Sequence, residues 1–206
     1  MNFINFILLI VILFFSITLH EYSHGWIANR LGDPTAKISG RLTLNPLAHI
    51  DLFGTILLPV LLLIISQGGF SFGYAKPIAI NPYHFKNPRR DMMWVGLFGP
   101  LANFVIAFFL VLFFKLLPFT LFSRVLLEGI VINLILGIFN LIPVPPLDGS
   151  RVISALLPYR LFYTYLRMET FGALLIIVLI MLGVFERFVR PLVKTILAFV
   201  NIEIIL

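Results

Sequence analysis

Apolar residues come in long unbroken runs along this chain, with polar residues gathered between them. The first run is Phe3 to Leu19, and its character continues past His20 through Trp26, Ile27 and Ala28. One helix over about residues 3–31 fits, stopped at Gly32-Asp33-Pro34. Residues 33–52 are mixed; Ile38, Leu42 and Leu44 at even spacing predict a short strand, and Asn45-Pro46 a turn. Leu52 to Ile65 is apolar but spans only 14 residues and contains Gly54 and Pro59. A helix that short usually fails to cross a bilayer, so a re-entrant or buried segment is expected. Phe70, Phe72 and Tyr74 alternate and lead into Ala75–Ile80, which predicts a β-hairpin over Gly69–Asn81. Further runs cover Met92–Leu117, Val125–Ile142, Thr170–Phe185 and Phe188–Leu206. The expected fold is an α-helical, polytopic membrane protein with about five spanning helices, a re-entrant segment and a small β-hairpin. It reads as one domain over residues 1–206, with a core at 3–155 and C-terminal helices at 168–206.

Composition supports the membrane reading. Hydrophobic residues make up 60% of the chain and charged residues 12%, and the mean hydropathy is +1.06. Soluble domains lie near 45–50% apolar and about 25% charged. A water-soluble globule of 206 residues has no place to hide the excess. The chain has no cysteine, which excludes disulfide scaffolds, thiolate metal sites and thiol nucleophiles. The net charge of +6 comes from dispersed Lys and Arg, so it speaks for topology and anionic lipid and against nucleic acid.

His20-Glu21-Tyr22-Ser23-His24 is an H-E-x-x-H motif inside the first apolar run. On a helix, residues four apart lie one turn along on the same face, so both imidazoles can reach one zinc ion. Glu21 then stands close enough to act as general base on a water. The plainer reading, a solvated polar face, conflicts with the apolar surroundings, where ionisable groups are costly. Zinc needs a third protein ligand. Asp148 follows the Pro143–Pro146 stretch with its carboxylate, although an Asp there also suits a helix N-cap. His49 and Asp51 are alternative ligands; their structural readings are a hydrogen bond across the loop and a cap on the helix beginning near Leu52. His84, in a Pro- and Lys-flanked loop, reads as solvated. Asn140 can make an interhelical hydrogen bond.

Three motifs in order carry a resemblance: His20-Glu21-x-x-His24, Gly99-Pro100-Leu101-Ala102-Asn103, and Asn140-x-x-Pro143-x-Pro145-x-Leu147-Asp148-Gly149. The chain resembles the site-2 protease family of intramembrane zinc metalloproteases, in its compact branch without PDZ or cystathionine-synthase-like domains. The resemblance covers roughly residues 10–155. It implies one Zn2+ held by His20, His24 and Asp148, Glu21 as catalytic base, and Asn140 as a residue holding substrate backbone.

The zinc reading makes a demand on topology, because His24 and Asp148 must meet at one side. If residues 52–65 turn back, the helices carrying them run the same way. One side then holds ten basic residues (Arg30, Lys37, Arg41, Lys76, Lys86, Arg89, Arg90, Arg151, Arg160 and Arg167) and the other five. A full crossing gives eight against seven. The positive-inside rule places the ten in the cytoplasm. The expectation is a multi-pass protein of a prokaryotic cell membrane. Its site lies within the bilayer nearer the cytoplasmic face, and Asn103, Asn133 and Asn140 line a water path. The activity that follows is hydrolysis of peptide bonds in membrane-embedded protein or peptide substrates, as in regulated intramembrane proteolysis. Its alternative is a non-proteolytic zinc-binding membrane protein that binds partner helices. A metal transporter fits less well, since Glu128 is the only other acidic group deep in a run. Oligomeric state is not legible in the sequence.

Overall fold

Among the described residues, three runs are long and apolar enough to cross a membrane, and each folds as a single helix. α1 is Phe3–Arg30, α4 is Pro88–Leu116 and α5 is Ser123–Asn140. At 1.5 Å per residue their 28, 29 and 18 residues give lengths of about 42, 43 and 27 Å. The shorter elements are α2 (Thr35–Ile38), α3 (Leu58–Ile65), α6 (Asp148–Leu156), α7 (Tyr159–Arg167), α8 (Gly172–Met181) and α9 (Arg190–Phe199). The computed structural model describes residues 3–65, 67, 73, 75–117 and 122–202.

α1 ends where the sequence says it should. Gly32 adopts φ +111°, and the Asp33 N–H reaches back to the Ala28 carbonyl (2.9 Å), a left-handed glycine cap. α4 starts with Pro88 at its first turn and Asp91 Oδ2 accepting the Asn87 N–H (3.1 Å).

Contacts between the long helices fix their directions. Asn133 of α5 meets Ser16 of α1, and Gly129 lies against Ile12, so α1 and α5 run parallel. The start of α4 packs on the end of α1, with Met92 and Val95 beside Ala28, Phe85 and Phe162, so α4 runs antiparallel to both. The chain between α1 and α4 therefore leaves and returns on one side. A second cluster, Ala107, Ile130, Leu134, Val189, Val193 and Leu197, closes α4 and α5 against α9 and the turn before it.

Three expectations are overturned. The described residues hold three candidate spans, where the sequence predicts about five. Gly183 adopts φ +68° and divides the C-terminal apolar run. α8 and α9 keep 10 residues each, about 15 Å of helix against a hydrocarbon core of about 30 Å. Residues 52–65 form a wide helical turn and α3, about 21 Å in all.

The second correction is the β-hairpin, since the described residues contain no strand. Residues 75–80 carry no regular secondary structure. Their backbone groups are taken by other partners: Lys76 N–H by the His49 carbonyl (2.9 Å), Ile78 N–H by Glu21 and the Pro77 carbonyl by Arg41. Most of the other predicted arm, Gly69–Tyr74, lies outside the described residues. The short strand expected around Ile38–Leu44 is not formed: α2 ends at Ile38, and the residues after it are turn and bend.

Candidate metal centre

His20 and His24 lie one turn apart on α1, both buried. Asp148 opens α6, also buried. His20 Nε2 is 3.0 Å and His24 Nε2 3.2 Å from Asp148 Oδ2, and the two Nε2 atoms are 3.1 Å apart. These are the only His, Cys, Asp or Glu residues that cluster this way among the described residues.

The remote nitrogens of both rings are committed. The Gly129 carbonyl can only accept, so it takes the Asn133 Nδ2–H (2.9 Å), which also donates to Ser16 Oγ (2.9 Å). That turns Asn133 Oδ1 toward Asn103 Nδ2 (3.1 Å) and Asn103 Oδ1 toward His20 Nδ1 (2.6 Å). His20 therefore donates from Nδ1. His24 Nδ1 donates to the Val95 carbonyl (2.6 Å). With the ring proton on Nδ1, each imidazole aims a lone pair from Nε2 at a carboxylate oxygen that receives no hydrogen bond. Three electron-rich atoms this close repel one another unless a cation lies among them. Tetrahedral zinc with bonds of 2.0–2.1 Å separates its donors by about 3.3 Å, so the set fits zinc. Committed second nitrogens are the usual arrangement around a metal-bound imidazole.

α4 makes the approach possible. Pro100 lies inside it and cannot donate to the Gly96 carbonyl, which loosens the turn from which the Val95 carbonyl reaches His24. A Cβ on Gly99 would collide with both imidazoles, and one on Gly96 would lie 2.7 Å from the Asp148 carbonyl oxygen. Asp148 Oδ1 accepts from Arg151 Nη1 (3.2 Å), and Arg151 Nε is 3.6 Å from Glu169 Oε1. One carboxylate oxygen is thereby held and the other left for the cluster.

Glu21 faces the same cavity of about 100 Å³, with Pro77, Ile78, Ile80, Asn140, Pro146 and Arg151 among its walls. Glu21 Oε2 accepts the Ile78 N–H (3.0 Å). Asn140 lines the cavity while its Nδ2 donates to the Leu136 carbonyl (2.9 Å). Asn103 and Asn133 are fully buried and bonded to each other, so the expectation that they line a water path is corrected.

His49 and Asp51 stand outside the cluster. His49 Nε2 donates to the Thr43 carbonyl (2.9 Å), and Asp51 Oδ1 accepts the Gly54 N–H (2.7 Å) at a helix start. His84 is not simply solvated, since its Nδ1 pairs with buried Asp33 (2.8 Å). Asp33 also accepts from Thr35 and from the Asn81 N–H (2.7 Å). Burial works against its charge, but the Thr35 hydroxyl, His84 and the two backbone N–H groups outweigh it and hold the carboxyl below its usual range. Asp33 thus ties the end of α1 to the chain that crosses over Glu21. Sequence reading missed Asn103's role, the Val95 carbonyl, Arg151 and Asp33. The Gly99-to-Asn103 motif held the one available signal, a Gly-Pro pair inside an apolar run.

The profile of Peptidase family M50 matches residues 8–129 and 118–183. A putative zinc metalloprotease of Bacillus subtilis, YwhC, is 38% identical over 181 residues, covering 83% of this chain and 78% of its own. A putative zinc metalloprotease of Mycolicibacterium smegmatis, Rip2, is 30% identical over 192 residues, covering 91% and 72%. The zinc metalloprotease MJ0392 of Methanocaldococcus jannaschii is 28% identical over 173 residues, 84% of this chain and 40% of that one. No solved structure matches the chain.

Proposed function

The chain belongs to peptidase family M50 and is a multi-pass zinc metalloprotease, and we propose that it cuts peptide bonds of membrane-embedded substrates at the His20–His24–Asp148 cluster. The observation that carries the reading is the triangle of three buried donor atoms with edges of 3.0, 3.1 and 3.2 Å. Its two nitrogens have their other N–H committed, and its oxygen is orphaned.

One zinc per chain is held by His20, His24 and Asp148. Bound there, it supplies the Lewis acidity that acidifies a water and polarises a scissile carbonyl. Glu21 takes a proton from the attacking water as its oxygen bonds to the carbonyl carbon. Glu21 then returns the proton to the nitrogen as the C–N bond breaks. The Ile78 N–H orients the Glu21 carboxylate. Asn140, on the cavity wall, holds substrate backbone. Arg151 keeps Asp148 to a single free oxygen. A helical substrate must unwind to present a carbonyl, since its own hydrogen bonds shield it.

The distribution of Lys and Arg supports a site in the bilayer nearer the cytoplasmic face. α1 ends, α4 begins and α6 packs on the side that carries most of the basic residues. The test is cleavage of a tagged single-span peptide in proteoliposomes by wild type and Glu21→Gln. The expected loss is about 10²–10⁴-fold in rate with zinc retained. A fully active Glu21→Gln protein removes the base assignment, and zinc-loaded wild type that cuts no helical peptide favours a zinc-binding protein without protease activity.

A further inference from the structure

A second cavity, of about 480 Å³, opens where the start of α4 meets the end of α6. Its walls include Asn87, Arg89, Arg90, Met93, Leu156 and Tyr159. We propose that it binds the phosphate of an anionic phospholipid from the leaflet that α4 enters.

The cationic wall lacks its counter-charge. Among the described residues, no carboxylate pairs with Arg89 or Arg90. Arg89 Nη2 donates to the Ala155 carbonyl (2.6 Å), but its Nε–H is buried without an acceptor. Asp91, the nearest acid in sequence, accepts the Asn87 N–H. A phosphodiester supplies two acceptor oxygens and a full negative charge, which suits guanidinium geometry.

Depth points to a lipid. Arg89 and Arg90 directly precede the apolar run of a spanning helix, which is headgroup level. The remaining wall is apolar: Met93 lines it beside Leu156 and Tyr159, which are 73% and 62% exposed. Free phosphate has no use for that wall, whereas an acyl chain covers it. The leaflet on the Lys- and Arg-rich side is the anionic one.

The location also gives the lipid a consequence. α6 carries Asp148 at its first residue and Ala155 at its far end. A phosphate that orders Arg89 and Arg90 braces α6 against α4, and so braces Asp148 beneath the histidines. The binding itself does not depend on the protease reading.

The experiment uses the full chain in a neutral detergent. Phosphatidylglycerol, phosphatidylcholine or sodium phosphate is added, with melting temperature and lipid adducts in native mass spectrometry as readouts. Phosphatidylglycerol is expected to raise the melting temperature of wild type by roughly 3–5 °C, with one retained lipid, and phosphatidylcholine is not. Arg89→Gln also removes the brace on Ala155, so the deciding variant is Arg90→Gln, at an exposed position. It is expected to lose at least half of the shift. Equal shifts from both lipids, an undiminished shift in Arg90→Gln, or the same shift from sodium phosphate alone each overturn the proposal.

Discussion

His20 and His24 are oriented by groups that are not themselves part of the cluster. Asn103 settles which nitrogen of His20 carries the proton, and it can do so only because Asn133 is anchored by the Gly129 carbonyl. Asn103→Ala leaves the His20 ring free to flip and to change tautomer. The expected result is a zinc affinity about 10–100-fold weaker, read by competition against a chelator, and unchanged affinity contradicts it. Gly99→Ala drives a methyl group into both imidazoles. It should remove zinc from folded protein, which separates it from a mere loss of stability. The pairing of His20 with His24 was legible from their spacing alone, because a helix brings positions four apart together whatever surrounds it. Asn103 was not, because its role exists only once α4 crosses α1.

At the scale of elements, the segment from residue 75 to 84 behaves as a strap across the end of α1. Glu21 holds it at Ile78, Arg41 at Pro77, and Asp33 at Asn81 and His84. Ala75–Ile80 reads as a strand because it continues the alternation of Phe70, Phe72 and Tyr74, a pattern that predicts a strand backbone. The pattern does not report whether a neighbouring strand or a set of side chains takes the hydrogen bonds. Asp33→Asn weakens a buried, charge-assisted set and should cost about 1.5–3 kcal/mol of stability. The native carboxyl titrates below the unfolded value of about 3.9. Its stabilisation is therefore complete above that value and is lost as pH falls through the lower native one. Melting temperature followed across this acid range should fall steeply for wild type and less steeply for Asp33→Asn. Parallel curves contradict the account.

At the scale of the molecule, the site exists because three long helices alternate in direction. α1 and α5 run together and α4 runs against them, so the histidine end of α1, the start of α4 and the residues after α5 share one side. The apolar runs showed how much chain enters the membrane. They overstated the number of crossings, because hydropathy does not register the break at Gly183. The absence of cysteine makes the arrangement directly testable with single cysteines. Lys37→Cys and Arg160→Cys should react with an impermeant thiol reagent from one side, and Lys115→Cys from the other. Labelling of Lys37→Cys and Lys115→Cys from the same side contradicts the topology.

The central claim, that His20, His24 and Asp148 form one zinc site, is tested most directly by the zinc content of the detergent-purified protein. Wild type should carry one zinc per chain. His24→Ala and Asp148→Ala should lose it, and Glu21→Gln should keep it. Wild type without zinc, or Asp148→Ala with its zinc intact, would contradict the account.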